Sequence, residues 1–431
     1  MSAFDKVIGY EKVKKELRVY CDCLKNPERY HKIGASMPHG ILFEGCPGTG
    51  KTLMANCFIE ESGLSSFVIR KKKTNGDFLK ELEETFKKAA ESAPSIILMD
   101  DMDKFSNNDI DHRDAPEYVT IQSLIDEYKD KGVFFIATVN YSGDMPDSLT
   151  RAGRFDNTFA MDEPEKEDSE KILTHYMKQK NLEDDVDIEF FARVMNGFSC
   201  AEIEEAINKA GLYAAYEGKD KVGYNEFLRA CFQVISCPQL AAEEDIDDYY
   251  DIAVHEIGHT IVSEVCRPGS VIFTALHLRE DHMPYGLTKS DEKEALSIKD
   301  REAEILIDFG GKAATEVILH KPDVGCCRDI LSVEKAIYLL IARDCTKSLD
   351  VTDYEDRYYC SEWARENVDR LICSEKKKYY EIAKQIILNN QRLFDSMLQE
   401  LLDKRILTFR DIKRLVDHYN INSDALRNLC W

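Results

Sequence analysis

Short, almost wholly apolar runs alternate with amphipathic stretches through the first third of the chain. The clearest runs cover residues 41–44, 95–99 and 133–139. Apolar runs of this length are typical of strands buried on both faces, and helices between such strands cover a parallel sheet. The pattern therefore predicts an α/β fold at the start of the chain. Farther along, longer amphipathic stretches such as residues 379–402 predict packed helices.

None of the apolar runs has the length of a membrane helix. The longest, at residues 133–139 and 336–342, are far shorter than the roughly 18 residues that a membrane helix needs. Residues 1–6 also lack the apolar core of a signal peptide. Fourteen cysteines without the paired spacing of metal ligands indicate reduced thiols. We therefore expect a soluble, cytoplasmic protein.

The composition is that of an ordinary globular protein. With 431 residues, 44% of them hydrophobic, the chain is long enough for two to four domains with apolar cores. Its formal net charge of −23 would repel a phosphate backbone. Nucleic acid is therefore not expected as the main partner.

A complete phosphate-binding motif follows the first predicted strand. Residues 45–52 read G-C-P-G-T-G-K-T and match G-x-x-x-x-G-K-[ST] at every fixed position. The glycines of this motif let backbone N–H groups surround phosphates, while Lys51 neutralises charge and Thr52 reaches Mg²⁺. A strand before the loop and a helix after it are the context that the motif requires. ATP binding is therefore predicted at this loop.

Polar residues follow the next two predicted strands. Asp100 and Asp101 come directly after the second apolar run. The first carboxylate is suited to holding Mg²⁺ through water, and the second to orienting the attacking water. Asn140, after the third run, is suited to positioning the same water or the γ-phosphate. These residues predict ATP hydrolysis as well as binding.

Two arginines lie just beyond the last of these strands. Arg151 and Arg154 are three residues apart, a spacing suited to reaching the γ-phosphate that a neighbouring subunit binds. Arginines that act across a subunit boundary imply a ring of several copies.

A second motif, H-E-I-G-H, begins at His255. On a helix, His255 and His259 lie on one face, so both imidazoles can bind a single Zn²⁺, and Glu256 is placed to take a proton from water. This short motif alone does not decide between a metallopeptidase and a helix that carries it by chance. Two other histidines, His277 and His282, are expected at the surface rather than among the ligands.

With both motifs in this order, the chain resembles the FtsH family of ATP-dependent zinc proteases, a branch of the AAA ATPases. Other segments similar to that family are residues 4–9, 197–202, 310–316 and 325–330. The resemblance implies that Ile8 and Gly9 contact adenine, that residues 197–202 begin a helix of a lid domain, and that Asp329 is the third zinc ligand.

The resemblance implies a full set of site residues and cofactors, namely Zn²⁺, ATP and Mg²⁺. The zinc ligands would be His255, His259 and Asp329. The catalytic residues would be Glu256, Asp101, Asn140, Arg151 and Arg154. The residues that contact the nucleotide and its Mg²⁺ would be Ile8, Gly9, Gly45, Pro47, Gly48, Thr49, Gly50, Lys51, Thr52, Leu53 and Asp100.

The resemblance also implies a domain order and a mechanism. Residues 1–160 would form an AAA+ large α/β domain, residues 161–240 a helical lid, and residues 241–431 a mostly α-helical zinc metallopeptidase domain. A homohexamer would use ATP to unfold and processively degrade cytosolic proteins. Residues 271–278 would form an edge strand beside the metal, against which an extended substrate pairs.

The chain departs from the family pattern at several positions. The family carries a membrane anchor before its ATPase, whereas this chain begins where the ATPase begins. Thr74 stands where the family has the aromatic residue of its substrate-gripping pore loop, and Phe78 lies close enough in the chain that loop geometry could bring it forward. Asp101 is one methylene shorter than the usual glutamate, and Cys200 replaces a glycine of the lid helix.

Two alternatives to a coupled protease stay open. One is an ATP-gated remodelling or assembly ring with weak or absent proteolysis, against which the complete set of metal-site residues argues. The other keeps the peptidase but uses nucleotide only to hold the ring together, so that only unfolded or short peptides are cut.

Overall fold

The computed structural model contains two compact units. The described residues are 2–71, 75–105, 115–151, 153–234, 239–240, 246–278, 284–291, 297–321, 325–343 and 362–429. One unit comprises residues 1–182 with 195–208, and the other comprises residues 183–194 with 209–431. Each unit has its own sheet and its own apolar core. The domain boundaries near residues 160 and 240 stay predictions.

The first unit is built on a parallel five-stranded sheet. Its strands are β1 (Gly40–Glu44), β2 (Ser65–Ile69), β3 (Ser95–Met99), β4 (Val133–Val139) and β5 (Asn157–Ala160). They lie in the order β2-β3-β4-β1-β5, and each neighbouring pair is parallel. The three strands predicted from apolar runs are confirmed.

Helices make up most of the remaining described structure. In chain order they are α1 (Glu11–Lys25), α2 (Pro27–Lys32), α3 (Lys51–Ser62), α4 (Asn75–Glu91), α5 (Pro116–Tyr128), α6 (Lys166–Met177), α7 (Ile188–Val194), α8 (Cys200–Tyr216), α9 (Tyr224–Val234), α10 (Ile246–Cys266), α11 (Ile298–Ala314), α12 (Cys327–Tyr338), α13 (Glu362–Asn389), α14 (Gln391–Lys404) and α15 (Phe409–Tyr419). Within the described ranges, none of these helices combines the length and apolar character that a membrane span requires.

Apolar side chains cover both faces of the parallel sheet, because successive residues of a strand point to opposite sides. On β1, Ile41 and Phe43 belong to a core formed with α1 and α3, whereas Leu42 belongs to a core formed with α4 and α5. The sheet is therefore buried on both sides. Its strands all run in one direction, so the loops that follow β1, β3 and β4 meet at one edge.

Phe78 lies in the second of these cores. Its side chain is fully buried, and its ring packs edge-on against Phe105 with the centroids 5.1 Å apart. Phe78 therefore does not take the place of the pore-loop aromatic, because the first turns of α4 direct its side chain into the core. Thr74 itself lies outside the described residues.

The second unit has a small antiparallel sheet with β7 in its middle. The strands are β6 (Gln239–Leu240), β7 (Val271–Leu278), β8 (Pro284–Ser290) and β9 (Ile406–Thr408). β7 pairs with β8 along its length, and the same β7 residues also pair with β6 at one end and with β9 at the other. The prediction of an edge strand at residues 271–278 is therefore wrong. Among the described residues, β6, β8 and β9 each pair with β7 alone, and β8 is the longest of these three edge strands.

His277 is buried rather than exposed, because it lies on this central strand. Its side chain is 1% exposed, and its ring packs against Tyr285 of β8 with the centroids 5.2 Å apart. Burial lowers the pKa of His277 to about 4. The prediction of a surface histidine is wrong at this position, and His282 lies outside the described residues.

Two glycines let α10 and α11 pack closely. A Cβ at Gly258 would lie 2.3 Å from the carbonyl oxygen of Gly310, and a Cβ at Gly310 would lie 2.7 Å from the carbonyl oxygen of Gly258. Overpacking of this kind costs about 1–3 kcal/mol when the backbone must shift. The close contact brings the face of α10 that carries His255 and His259 against α11.

Candidate nucleotide and metal sites

The phosphate-binding loop lies between β1 and α3, and its glycines take positions that other residues would resist. Gly50 precedes α3 with a φ of 94°, in the left-handed region that disfavours a Cβ. At Gly45 a Cβ would lie 2.0 Å from the carbonyl oxygen of Met161. The carbonyl oxygen of Gly48 accepts a hydrogen bond of 3.2 Å from the N–H of Ala201, at the start of α8. The predicted lid helix therefore begins beside the loop.

Lys51 is held by acceptors around the loop. Its ammonium group donates to the carbonyl oxygens of Gly45 at 2.6 Å and Cys46 at 2.8 Å, and to Oδ1 of Asn140 at 3.1 Å. Burial lowers the pKa of Lys51 below its ordinary value, and the nearby charge of Asp101 opposes this shift. Phosphate oxygens are stronger acceptors than carbonyl oxygens, so they are suited to replace these partners.

Asp100 is buried, and its side chain receives three hydrogen bonds and an ion-pair contact. Its Oδ1 accepts from the hydroxyls of Thr52 at 2.7 Å and Thr138 at 2.9 Å. Its Oδ2 accepts a hydrogen bond of 2.9 Å from Nε of Arg70 and forms an ion pair with Nη2 of the same side chain at 2.7 Å. Burial alone would raise the pKa of Asp100, but the bonds from Thr52, Thr138 and Arg70 lower it. An ionised carboxylate beside the Thr52 hydroxyl is the arrangement that a Mg²⁺ site requires.

Asp101 and Asn140 are also engaged within the unit. The carboxylate of Asp101 forms an ion pair of 2.8 Å with Lys104 at the surface. The side-chain amide of Asn140 donates to Oδ2 of Asp103 at 2.8 Å, and its backbone N–H donates to the same oxygen at 3.2 Å. Asp103 therefore fixes the amide so that its oxygen faces Lys51. Both residues stay predicted catalytic groups.

The two arginines differ in their surroundings. The guanidinium of Arg154 pairs with Asp126 at 2.7 Å and donates to the carbonyl oxygen of Ser148. Arg151 is exposed. Arg154 would therefore have to exchange an internal partner to take the role predicted for it, whereas Arg151 already faces solvent.

The remaining predicted nucleotide contacts lie around the loop. Thr49 is buried, and its hydroxyl donates to the carbonyl oxygen of Cys46 at 2.9 Å, while Pro47 and Leu53 are exposed. Gly9 has a φ of 78°, and a Cβ there would lie 2.5 Å from Oδ2 of Asp168. Ile8 lies directly before Gly9 and is half-buried.

Tyr10 ties the segment that carries Ile8 and Gly9 to the loop. Its hydroxyl lies 2.6 Å from the carbonyl oxygen of Asp162 and 3.1 Å from that of Thr49. The segment implied to contact adenine therefore lies against the phosphate-binding loop.

The structure brings His255, His259 and Asp329 together in the second unit. The Nε2 atoms of the two histidines on α10 are 3.0 Å apart. Oδ2 of Asp329, in the first turn of α12, lies 3.3 Å from Nε2 of His255 and 3.5 Å from Nε2 of His259. Residues far apart in the chain therefore present two nitrogens and one oxygen to one point.

The orientation of His259 fits a metal ligand. Its Nδ1 lies 2.7 Å from the carbonyl oxygen of Ile307 on α11, so a neutral imidazole places its proton on Nδ1 and its lone pair on Nε2. That lone pair faces Nε2 of His255 and the carboxylate of Asp329. A proton can join two such acceptors, but a divalent cation satisfies all three. The set therefore fits Zn²⁺.

Gly311 makes room for the other histidine. A Cβ at this position would lie 2.4 Å from Cε1 of His255. The two consecutive glycines, Gly310 and Gly311, therefore have different structural roles. The first lets α10 and α11 approach each other, and the second accommodates an imidazole.

Glu256 lies beside the ligand set in a cavity of about 830 Å³. The cavity is lined by residues of α10, β8, α11 and α12, together with their adjoining turns. The Glu256 side chain is largely buried, and its Oε2 accepts a hydrogen bond of 2.7 Å from the hydroxyl of Thr288 on β8. Asp308 also lines the cavity, and burial raises its pKa to about 6.

Several residues of these sites escaped the sequence analysis. Arg70 directly follows β2, so its place at the carboxyl edge of the sheet was a usable signal. Asp103 lies two residues after Asp101, within the same polar turn. Thr288 gave no local signal, because only the pairing of β7 with β8 and the packing of α10 bring it to Glu256.

Comparison with known families defines the class first. Residues 41–163 match the family model described as ATPase family associated with various cellular activities (AAA). This segment begins in β1 and contains the phosphate-binding loop, Asp100, Asn140 and both arginines. The first unit is thus an AAA ATPase fold, with the parallel sheet and strand-tip residues expected of that class.

Similarity to curated proteins extends over nearly the whole chain. It is 28% identical to "ATP-dependent zinc metalloprotease FtsH 2" of a Thermoanaerobacter species, over 97% of this chain and 83% of that protein. It is 29% identical to "ATP-dependent zinc metalloprotease FtsH" of Thermotoga maritima, over 96% of this chain and 72% of that protein. The protein of the same name from Parabacteroides distasonis is 26% identical, over 96% of this chain and 64% of its own length. The chain is therefore FtsH-like over nearly its whole length and contains an AAA ATPase segment, as the resemblance implied.

Proposed function

We propose that this chain forms a ring-shaped ATPase that delivers polypeptides to its own zinc peptidase site. The observation that carries the proposal is the convergence of His255, His259 and Asp329 beside Glu256 in one cavity. This set of groups serves peptide hydrolysis and has no use in nucleotide turnover. The names of the relatives support the same function.

Peptide hydrolysis follows from the groups in the cavity. His255, His259 and Asp329 would hold Zn²⁺ and leave a coordination position open. Zinc bound there would supply Lewis acidity toward a peptide carbonyl and would lower the pKa of a water molecule. Glu256 accepts the proton of the attacking water and returns it to the leaving amine as the C–N bond breaks.

ATP hydrolysis follows from the groups at the edge of the parallel sheet. Lys51 binds the β- and γ-phosphates, while Thr52 and Asp100 hold Mg²⁺. Asp101 and Asn140 orient the attacking water. The guanidinium groups of Arg151 and Arg154 stabilise the charge of the transferring phosphoryl group from the neighbouring subunit of a hexamer.

The outer edge of β8 is the proposed place for an extended substrate. β8 lines the cavity with Tyr285, Gly286 and Thr288, so a strand paired with it runs past Glu256. Such pairing reads mainly backbone, so we expect broad specificity among protein substrates.

Degradation of casein, an unstructured protein, tests the proposal. The purified chain is incubated with casein, ATP, Mg²⁺ and Zn²⁺, and cleavage is followed on gels and by release of peptides. A Glu256→Gln variant and a reaction without ATP are run in parallel. We expect cleavage that requires both Glu256 and ATP.

Two other outcomes of the casein assay would favour a different function. If a chain that binds ATP and zinc leaves casein intact, the remodelling or assembly ring replaces the protease. If cleavage requires Glu256 but not ATP, the peptidase stands and its coupling to the ATPase is wrong for unstructured substrates.

A further inference from the structure

We propose that Thr288 is a positioning residue that holds the Glu256 carboxylate in place for proton transfer. The inference rests on the proposed peptidase function and adds a residue from outside the H-E-x-x-H motif. Oγ1 of Thr288 lies 2.7 Å from Oε2 of Glu256, the distance of a charge-assisted hydrogen bond. Among the described residues, no other side chain donates to this carboxylate.

The donors and acceptors of the neighbouring threonine hydroxyls indicate that Thr288 donates its proton to Glu256. Thr260, Thr274 and Thr288 form a line of hydroxyls, with Oγ1 of Thr260 and Thr274 only 2.6 Å apart. Thr260 also donates to the carbonyl oxygen of Glu256 at 2.9 Å. Its single proton is then used, so Thr274 must donate to Thr260.

Thr288 then has one proton and a choice of acceptors. The Glu256 carboxylate at 2.7 Å is closer than the carbonyl oxygen of Glu256 at 3.2 Å and Oγ1 of Thr274 at 3.5 Å. If the proton pointed elsewhere, a hydroxyl lone pair would face the carboxylate. The proton of Thr288 therefore points to Oε2.

β8 provides space for Glu256 as well as a donor. Gly286 and Thr288 are two residues apart on one strand, so they share a face. A Cβ at Gly286 would lie 2.4 Å from Cγ of Glu256, which means that the glutamate side chain occupies this space. The strand proposed to pair with substrate therefore also holds the general base, so one element sets the positions of both.

The expected consequence is a loss in turnover rather than in substrate binding. A misplacement of a reacting group by about 1 Å can cost on the order of a hundredfold in rate. Without its donor, the Glu256 side chain is free to rotate away from that position. We expect kcat for a casein-derived peptide to fall about 10- to 100-fold in Thr288→Val, with KM changed by less than about threefold.

The experiment compares three variants in the full chain. Thr288→Val removes the hydroxyl and keeps the shape, whereas Thr288→Ser keeps the hydroxyl. Thr274→Val is the matched control, since it removes a hydroxyl from the same cluster without touching the carboxylate. For each protein we would measure kcat, KM, zinc content and unfolding temperature. Crystal structures of the metal-free Val and Ser variants would show the position of the Glu256 side chain independently of activity.

The inference predicts that Thr288→Val loses turnover and displaces Glu256, while Thr288→Ser retains both and Thr274→Val stays close to the parent. Equal kcat in the parent and Thr288→Val, or an unmoved Glu256 in the Val variant, overturns it and leaves the peptidase function standing. If Thr288→Val does not fold, loss of turnover in a folded Thr288→Ser overturns it. If the parent chain itself cuts no peptide, both proposals fail.

Discussion

The two proposed sites differ in how their polar groups are satisfied. At the nucleotide site, Lys51 binds carbonyl oxygens of its own loop, Asp100 binds Arg70, and Arg154 binds Asp126. At the metal site, two imidazole nitrogens from α10 and a carboxylate oxygen from α12 lie within a few ångströms of one another. The polar groups of the first site bind one another, whereas those of the second direct two imidazole nitrogens and a carboxylate oxygen toward one point.

This difference indicates which of the two sites changes its side-chain arrangement when it binds a ligand. Groups that already have partners bind a ligand only by exchanging those partners, so occupancy of the nucleotide site must rearrange side chains. The three ligand atoms of the metal site already converge on one point, so a cation binds them with little rearrangement and the site is assembled in advance. A motor needs a site that rearranges when it binds its ligand, whereas a catalytic metal centre needs a site that is assembled in advance.

Removal of one zinc ligand should have the largest effect. In Asp329→Asn the third ligand loses its charge, so we expect zinc affinity to fall by more than about a hundredfold, beyond what loss of a supporting group costs. Zinc content after dialysis and casein cleavage measure this. Asp395→Asn, an exposed change in the same unit, is the control. If Asp329→Asn keeps a full complement of zinc, the proposed ligand set is wrong.

Loss of Lys51 should disable the other site and spare the metal. In Lys51→Ala the charge facing the phosphates is gone, so we expect ATP hydrolysis to fall at least about a hundredfold. Zinc content and cleavage of a short unstructured peptide should stay within about threefold of the parent, since the ligand set is independent of nucleotide. Cleavage of a folded substrate should stop, because the motor is needed to unfold it.

The control for this experiment is Lys15→Ala, an exposed lysine on α1. Unchanged cleavage of folded and unstructured substrates alike in Lys51→Ala would show that the two sites are not coupled. Loss of zinc together with ATPase activity would instead show that the sites are not independent.

The sequence reveals the parts of these sites that lie within one segment. The strand before Lys51 and the i, i+4 spacing of His255 and His259 are local patterns, so they were predictable. Contacts between segments were not. Residues 271–278 form the central strand rather than an edge strand, because strand order depends on pairing across the whole unit, and the same pairing buries His277.

The buried histidine should make the second unit sensitive to acid. The pKa of His277 is about 4 in the folded chain and about 6.5 when unfolded. A lowered histidine pKa means that the unfolded chain takes up the proton first. Stability is therefore fully present above pH 6.5 and is lost as the pH falls toward 4, by about 3 kcal/mol in total.

Denaturant unfolding of the metal-free protein at pH 7 and pH 4 measures this loss. His277→Leu has a similar size and cannot titrate, so its free energy of unfolding should fall less than that of the parent over this range. His418→Leu, at an exposed histidine, should behave as the parent does. Identical pH dependence in the parent and His277→Leu would show that His277 is not buried as described.

The smallest effect is expected from breaking the contact between Arg70 and Asp100 at the nucleotide site. Arg70 binds Oδ2 of Asp100 with two nitrogens and is half-exposed, so it competes with Mg²⁺ for this carboxylate at an energy of about 1 kcal/mol. Arg70→Ala should therefore lower the Mg²⁺ concentration for half-maximal ATP hydrolysis about fivefold, and Arg70→Lys, which keeps the charge but not the two-nitrogen contact, should lie between it and the parent. Titration of ATPase activity with Mg²⁺ at fixed ATP measures the shift. If Arg70→Ala instead needs more Mg²⁺, Arg70 supports the metal-bound state. The idea that Mg²⁺ displaces Arg70 from Asp100 would then be wrong.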